Sequence, residues 1–421
     1  MKLKLLVLTS AALLLLTACD KQSDSPLGND LDSRGNQPVH TLVIEPGANW
    51  SDTGIYGFGN TEGKTVLSVG RVGDTVVRSL IDFDLDEMPS AITAETLYRA
   101  RVEYHYTRAY SVANWRSFSR GELEVSVHRL TSDWEAEYTT WLDRKEDDGW
   151  GVQGGEFADA QSAFLLDEID NGIVETRTFD VTELMADWLD DPAAEFGLLL
   201  KAADEANAEV IKEFYSDDLA NSEMHPHLHI IYEGGDGEKY AWITEAEEDV
   251  TIARNLSDGG GNANYGSNEL LPLSASFGTG GWLLFDFALD LLPENATINL
   301  AQLELYASFP GRSYDGSAAI HAFEEEFTDS TRQADLRKLD YEEAKLLQTL
   351  TAQTDGYLKL QIAPIFQDWN SNEKENHGLL IKIDDNGDYA EPITIYTGDT
   401  TDPDKQPRLT IKYTLPPEHW Y

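Results

Sequence analysis

One segment of this chain combines cationic and aromatic side chains. Between Arg99 and Arg129 there are six arginines against three acidic residues, Glu103, Glu122 and Glu124. Arginine binds carboxylates through paired hydrogen bonds, and aromatic rings offer flat apolar faces on which sugar rings can stack. The segment therefore has the chemistry of a site for an acidic sugar. Its candidate ligand-binding residues are Arg101, Arg108, Tyr110, Trp115, Arg116 and Arg120.

The structural alternative is that these arginines pair with acids elsewhere and that the aromatic residues belong to a core. In an extended strand successive side chains point to opposite faces, so Arg101, Glu103 and His105 would share one face. Tyr104 and Tyr106 would lie on the other. This alternation allows Arg101 to join a binding row while the two tyrosines lie opposite.

Two acidic stretches have the residue types of a calcium site, because calcium takes carboxylate and carbonyl oxygens in turns. They run from Asp384 to Asp388 and from Asp258 to Asn264. Neither has the full spacing of an EF-hand loop, and a chain with 76 acidic residues contains acidic clusters by chance. Calcium is the candidate ion, with Asp384, Asn386 and Asp388 as its ligands, and no other cofactor is implied.

Signatures of catalysis are missing from the sequence. It contains no Gly-x-Ser-x-Gly, no His-Glu-x-x-His and no phosphate-binding glycine loop. Two carboxylates could serve a glycosidase, but the abundance of acids favours no particular pair. The sequence predicts a protein that is not an enzyme.

The composition is that of a globular and strongly acidic protein. The chain of 421 residues is long enough for two domains, and 41% of its residues are hydrophobic. Its 31 basic and 76 acidic residues give a net charge of −45, which argues against nucleic acid as a partner. Such uniform acidity is more typical of solubility in a salty environment than of one acidic site.

The N-terminus has the pattern of an export signal. Two lysines precede an apolar run from Leu5 to Leu16, which is too short for a membrane-spanning helix. The Leu-Thr-Ala-Cys that ends at Cys19 resembles the lipobox of bacterial lipoproteins. The resemblance implies that residues 1–18 are removed and that Cys19 is lipidated, palmitate being one acyl chain. We expect an exported protein of the bacterial cell envelope, anchored to the inner or the outer membrane. A plain signal peptide with an incidental cysteine is the alternative.

The second half of the chain repeats the first at a constant offset. Trp188, Gly197–Lys201 and Pro226 recur 181 residues later as Trp369, Gly378–Lys382 and Pro407. A duplicated structural unit explains this register. The predicted boundaries are a signal peptide at 1–18, a polar tether at 19–39, a first unit at 40–232, a linker at 233–240 and a second unit at 241–415.

Alternating apolar and polar residues predict short antiparallel strands. Segments such as Leu80–Leu85 and Leu123–Val127 alternate with a period of two and are separated by Gly, Asn and Asp turns. One short helix per unit is predicted, with Trp188 and Trp369 in the core. The fold class is therefore all-β, as two tandem antiparallel jelly-roll-like β-sandwiches, each with one short helix.

A histidine-rich segment could suggest zinc. His227 and His229 share a strand face next to His225. The matching positions of the second copy are Arg408 and Thr410, which do not form a zinc site. We interpret the histidines as an outward polar row, opposite the apolar residues of the same strand.

Several landmarks, taken in order, resemble the DNRLRE domain, which is also described as carbohydrate-binding module family 96. They are Arg78–Leu85 with Met88-Pro89, His128–Thr131 with Trp134 and Thr140-Trp141, Asp180–Thr182, and Gly197–Lys201. The resemblance covers residues 40–232 and, more weakly, 241–413, where Phe327 stands at the place of Trp134. It implies a jelly-roll-like sandwich that binds polysaccharide, with alginate-type uronates among its ligands, and that has no catalysis of its own.

These observations predict a lipid-anchored surface protein that binds extracellular polysaccharide without cleaving it. It would hold the ligand for polysaccharide-processing proteins, and its first unit is the better candidate for the site. The alternative is a structural or adhesive surface lipoprotein that binds a protein partner. A lyase or hydrolase of unrecognised type is the third and least favoured hypothesis.

Overall fold

The computed structural model describes residues 38–47, 50–57, 61, 63–73, 75–111, 121–146, 148–167, 174–255, 263–264, 269–276, 279–308, 314–324, 346–352, 355–384 and 393–415. Antiparallel strands dominate this part of the chain, and it holds two short α-helices. None of the described helices is long and apolar enough to cross a membrane. The predicted all-β fold class is confirmed.

The strands up to residue 255 are β1 (Val39–Ile44), β2 (Trp50–Gly57), β3 (Val66–Val72), β4 (Thr75–Phe83), β5 (Leu97–Ser111), β6 (Leu123–Arg129), β7 (Asp143–Lys145), β8 (Asp148–Gly149), β9 (Ser162–Leu166), β10 (Glu175–Asp180), β11 (Leu198–Ala202), β12 (Val210–Tyr215), β13 (His227–Glu233) and β14 (Lys239–Asn255). Helix α1 (Thr182–Asp190) follows β10, and short 3-10 helices lie at Pro192–Ala194 and Ser222–Met224.

The later strands are β15 (Ala263–Asn264), β16 (Leu270–Ser276), β17 (Thr279–Phe287), β18 (Thr297–Ser308), β19 (Tyr314–Ala322), β20 (Leu346–Ala352), β21 (Gly356–Gln361), β22 (Leu379–Asp384), β23 (Ile393–Tyr396) and β24 (Arg408–Thr414). Helix α2 (Ala363–Asn370) follows β21. The starts of β10, α1, β11 and β13 each lie 181 residues before those of β21, α2, β22 and β24. The predicted repeat is thus visible element by element.

Sandwich 1 is built from β3–β6 and β9–β14. Its front sheet contains β10, β5, β13 and the first half of β14, with β12 also paired to β5. Its back sheet contains β9, β6, β11, β4 and the second half of β14. Strand β14 therefore runs through both sheets and joins them along one side.

Sandwich 2 has the same topology with its own strands. Its front sheet contains β21, β18, β24 and β1, with β23 also paired to β18. Its back sheet contains β20, β19, β22, β17 and β2. Strands β1 and β2 therefore take the places that the two halves of β14 take in sandwich 1.

The two sandwiches exchange their closing strands along the chain. Strand β1 pairs with β24 from Val39↔Thr414 to Ile44↔Leu409, and β2 pairs with β17 from Trp50↔Phe287 to Gly57↔Gly280. The sequence interpretation assigned these N-terminal strands to the first unit, and the pairing corrects that assignment. The physical reason is that strand pairing uses backbone hydrogen bonds, which either sandwich can offer to a strand of suitable apolar pattern.

The predicted linker is a hairpin turn. Strands β13 and β14 pair from His227↔Glu245 to Glu233↔Lys239. The turn between them is closed by hydrogen bonds from Gly234 N to Glu238 O and from Gly237 N to Gly234 O. The chain instead passes between the sandwiches after β2 and again after β14.

Each sandwich has its own apolar core, closed at one end by its helix. Leu184, Met185 and Trp188 of α1 are buried in sandwich 1, while Ile365, Phe366 and Trp369 of α2 are buried in sandwich 2. The prediction that both tryptophans are core residues is confirmed. Helix α1 ends at Asp190, just before Pro192, because proline cannot continue a helix.

A third apolar cluster lies on the outer side of the back sheet of sandwich 1. Trp134, Trp141 and Trp150 come from the connection between β6 and β9, and they pack against Leu80, Leu199 and Val250 of the sheet. All three tryptophans are buried. They stabilise this long connection and are not available as an exposed platform.

Candidate functional site

The outer side of the front sheet of sandwich 1, which we call the front face, carries the predicted row of polar side chains. Arg101, Glu103 and His105 of β5 are half-buried on this face, while Tyr104 and Tyr106 lie in the core. The predicted alternation along β5 is therefore confirmed. Strand register places His229 opposite Arg101 and His227 opposite Glu103.

The histidine row has no zinc geometry among the described residues. His225 Nε2 lies 2.6 Å from Leu219 O, and His227 Nδ1 lies 2.8 Å from His225 O, so both rings are held by carbonyls. His229 Nε2 is 3.9 Å from Glu103 Oε1. Burial lowers the pKa of His229; Glu103 opposes this effect and Arg101 reinforces it. A neutral His229 is expected at pH 7.

Arg101 differs from its neighbour Arg99 in its partners. Arg99 Nε lies 3.1 Å from Asp180 Oδ2, so its charge is paired. Arg101 has no ion pair in the described part of the chain, and its buried Nε has no hydrogen-bond partner there. A guanidinium without an internal carboxylate is suited to take one from a ligand.

Two exposed side chains with apolar surface belong to the same sheet as this cation. Tyr98 is 58% exposed because it sits at a bulge, where the register of β13 shifts from Ile231↔Arg99 to Tyr232↔Leu97. Ile243 of β14 is 51% exposed and lies opposite His229. The front sheet thus carries an exposed aromatic ring, an exposed aliphatic side chain and a cation that has no ion pair among the described residues.

The other predicted ligand-binding residues are placed less completely. Arg108 and Tyr110 lie in β5, paired with Glu213 and Ile211 of β12, but their side chains are outside the described part of the structure. Trp115, Arg116 and Arg120 fall outside the described residues altogether. The structure therefore tests only the position of Arg101, and the binding role of all six stays a prediction.

The predicted calcium ligands are also only partly placed. Asp384 is the last residue of β22, and Asn386 and Asp388 lie outside the described residues. Cys19 lies outside them as well. These assignments remain predictions.

A different acidic group was missed by sequence reasoning. Asp217, Asp218 and Asp249 bring carboxylate oxygens within 4.8 Å of one another, as a metal ion would require. Burial raises the pKa of Asp217 to about 6 and that of Asp249 well above its usual value. Asp249 Oδ2 accepts a hydrogen bond from Asp217 N. Since Asp249 comes from β14 and the other two follow β12, no local sequence spacing announces the group.

A cationic cluster at the back of sandwich 1 was missed too. The guanidinium carbons of Arg78 and Arg254 lie 4.5 and 4.7 Å from the centre of the Trp141 ring. Arg78 donates to both carboxylate oxygens of Glu205 at 2.7 Å. Trp141 is buried, so the cluster holds the long β6–β9 connection against the sheet.

Comparison with known proteins gives one family match. A model of the disaggregatase related repeat domain, a carbohydrate-binding-like repeat, matches residues 59–230. The match covers less than half of the chain and lies in sandwich 1, beginning just before β3 and ending in β13. It does not single out the DNRLRE domain, so that finer resemblance stays a prediction.

A search of solved structures gives a distant match. The N-terminal CBM22-1-CBM22-2 tandem domain from Paenibacillus barcinonensis Xyn10C is 10% identical, with 90% of this chain and 98% of that chain covered and a TM-score of 0.16. This TM-score is too low to carry an argument. A search of curated proteins finds no significant match.

Proposed function

We propose that this protein binds an extracellular polysaccharide on the front face of sandwich 1 and does not cleave it. The observation that carries the proposal is Arg101, which has no ion pair among the described residues, in the same sheet as the exposed Tyr98 and Ile243. The match to a carbohydrate-binding-like repeat over the same sandwich supports a binding role.

The chemistry of this face favours an acidic sugar. A guanidinium can hold a uronate carboxylate through two hydrogen bonds, and a tyrosine ring can support the apolar side of a sugar ring. A neutral His229 can add one donor or acceptor without repelling Arg101. Alginate-type uronate chains are therefore the ligand class that we propose.

We further propose that Cys19 carries a lipid anchor in the cell envelope. The tether of residues 20–38 leads directly into β1, which belongs to the front sheet of sandwich 2. At about 3.4 Å per residue the tether can reach roughly 65 Å when fully extended. Lipidation would thus attach sandwich 2, and not sandwich 1, to the end of the tether.

The test compares variants of the mature chain by affinity electrophoresis in gels with and without alginate. We expect Arg101→Ala to weaken retention about ten- to hundred-fold in Kd, since a charge-assisted hydrogen bond contributes about 1.5–3 kcal/mol. Arg144→Ala is the control, because it removes the same charge from the β6–β9 connection, away from the front face.

Three other outcomes would overturn parts of the proposal. Equal retention of Arg101→Ala and the wild type would exclude the front face as the polysaccharide-binding site. Retention by no glycan at all would favour the alternative, a surface lipoprotein that contacts another protein. Release of unsaturated or reducing-end products during incubation would show cleavage.

A further inference from the structure

Sandwich 2 carries a tyrosine cluster on the face that corresponds to the front face of sandwich 1. Tyr357, Tyr306 and Tyr396 come from β21, β18 and β23, which are three adjacent strands. The Tyr306 ring centre lies 5.3 Å from that of Tyr357 and 5.4 Å from that of Tyr396, at interplanar angles of 88° and 85°. The three rings form one row across three strands, and two strand spacings give it a length of roughly 10 Å.

Cations border this row on the same face. Lys405 Nζ lies 4.4 Å from the centre of the Tyr396 ring and 5.5 Å from that of Tyr306, and it is 3.2 Å from the Tyr396 hydroxyl. The guanidinium carbon of Arg408 lies 6.0 Å from the Tyr357 ring centre. The side chains of Lys359 and Arg408 remain 59% and 45% exposed, so these charges face solvent.

A buried carboxylate holds two of the cations in place. Glu304 Oε2 accepts a hydrogen bond from Arg408 Nε at 2.8 Å and forms an ion pair with Nη2 at 2.8 Å, and Lys359 Nζ lies 3.4 Å from Glu304 Oε1. The Glu304 side chain is only 9% exposed. Lys405 pairs with Asp402 at 3.4 Å. The described ion pairs of the cluster thus join three cations to two carboxylates, one of which is buried beneath the surface.

The Tyr357 ring is fixed from a second direction. Its hydroxyl donates to Asp404 O at 2.7 Å, so the segment between β23 and β24 is tied to β21. Lys405 is the next residue of the same segment. The rings and the cations are therefore held before any ligand arrives, which reduces the entropy lost on binding.

We propose that this tyrosine cluster is a second glycan-binding site, specific for a sugar chain that carries carboxylates. The aromatic row supplies apolar contact for sugar rings. Lys405 and Arg408 have more N–H donors than their described pairs with Asp402 and Glu304 use, and the remaining donors can bind carboxylates at the edge of the row. This inference rests on the proposed function and extends it to sandwich 2. The sequence interpretation favoured sandwich 1 because the motifs of the resemblance weaken in the second copy.

The equivalent positions of sandwich 1 show why the two sites are different. In sandwich 2 Glu304 pairs with Arg408 across β18 and β24, and in sandwich 1 Glu103 pairs with His227 at the equivalent positions of β5 and β13. Tyr306, two residues after Glu304, therefore corresponds to His105. Sandwich 1 thus has a glutamate, Glu103, at the position of Glu304. It has histidines at the positions of Arg408 and of Tyr306, the central ring of the row. The two sandwiches therefore offer different side chains to an acidic sugar.

The experiment titrates the full mature chain with an alginate hexasaccharide and, separately, with cellohexaose by calorimetry. The double variant Tyr357→Ala/Lys405→Ala is compared with Arg101→Ala and with the wild type. We expect two binding events in the wild type, and a loss of at least tenfold in the affinity of one event in each variant. Cellohexaose should bind at least tenfold more weakly than the acidic hexamer, because it offers no carboxylate.

Conservative variants separate binding from folding. Tyr357→Phe/Lys405→Arg keeps the ring and the charge and should retain the second event within about threefold, although it loses the hydrogen bond to Asp404 O. Unchanged hydrogen exchange of β18 and β21 in the double alanine variant would show that the sheet is intact.

The possible failures are distinguishable. If the double alanine variant binds like the wild type while Arg101→Ala loses affinity, the second site is excluded and the first stands. If only the double alanine variant loses affinity, the front face of sandwich 1 is excluded. If the wild type binds neither sugar, both proposals fail.

Discussion

Asp82 and Glu195 form a carboxyl pair in sandwich 1 that should make its stability depend on pH. Burial, and then the adjacent Asp82, raise the pKa of Glu195 to about 8, and burial also raises the pKa of Asp82. Glu195 is thus protonated more readily in the folded chain than in the unfolded one. Its contribution to the free energy of unfolding is present in full below about pH 4.5 and is lost as pH rises through about 8.

We expect the wild type to lose on the order of 2 kcal/mol of unfolding free energy between pH 5 and pH 8 through this pair. Glu195→Gln should flatten that dependence, because a neutral amide has no proton to lose. Urea unfolding at a series of pH values measures the slope, and Glu183→Gln on the exposed side of α1 is the control. A Glu195→Gln slope equal to that of the wild type would contradict the assignment.

The face on which a side chain lies could be predicted from the sequence where it depends on a single strand. The alternation of Arg101 and Glu103 against Tyr104 follows from the period of two in a strand, and the structure confirms it. The exposure of Tyr98 depends on a bulge against β13, and the tyrosine row depends on three strands that are far apart in the sequence. Neither has a local signal from which it could be predicted.

A glycine directly precedes each of the strands β11 and β22, and no larger residue fits at either position. Gly197 has φ +77°, and a Cβ there would lie 2.5 Å from Ile81 O; Gly378 has φ +95°, with a Cβ 2.7 Å from Phe285 O. Both contacts are with the backbone of the neighbouring strand, which cannot move aside without breaking its pairing. The repeated Gly-Leu-Leu pattern of the sequence is therefore a requirement of strand entry and carries no information about ligands.

We expect Gly197→Ala to lower the free energy of unfolding by about 2–4 kcal/mol, from positive φ and backbone overlap together. Gly235→Ala, in the turn between β13 and β14, should change it by less than about 1 kcal/mol, since nothing lies within 4 Å of a Cβ there. Chemical denaturation of both variants gives the comparison. If both variants lost a similar amount of unfolding free energy, the structure around residue 197 would have to accommodate the added Cβ without the expected clash.

At the scale of the whole molecule, the exchange of closing strands could not be predicted from sequence. Because of the duplication, each sandwich needs closing strands at the same two places. In sandwich 1 these places lie beside β13 and β4, and in sandwich 2 they lie beside β24 and β17. The segment 39–57 and the segment 239–255 each have an apolar pattern that can fill it. The short turn of residues 234–238 favours the observed pairing, because it places β14 directly beside β13. The N-terminal strands β1 and β2 then pair with sandwich 2.

This arrangement predicts that a change near the N-terminus destabilises the C-terminal half. Trp50 is buried in the core of sandwich 2, with its ring centre 5.6 Å from that of Phe285 and 5.0 Å from that of Phe287. Trp50→Ala should cost about 3–5 kcal/mol, as for other buried tryptophans. Hydrogen exchange should accelerate at least tenfold in β17 and β24, while β4 and β13 change little.

Val250→Ala in β14 is the matched control, because Val250 is fully buried beside Leu80 on the back sheet of sandwich 1. It should accelerate exchange in β4 and leave β17 unchanged, although residue 250 lies in the segment that the sequence assigns to the second unit. Faster exchange in β4 on loss of Trp50 would mean that each unit keeps its own N-terminal strands. In that event the tether would lead into sandwich 1, and the proposed attachment of sandwich 2 to the tether would be wrong.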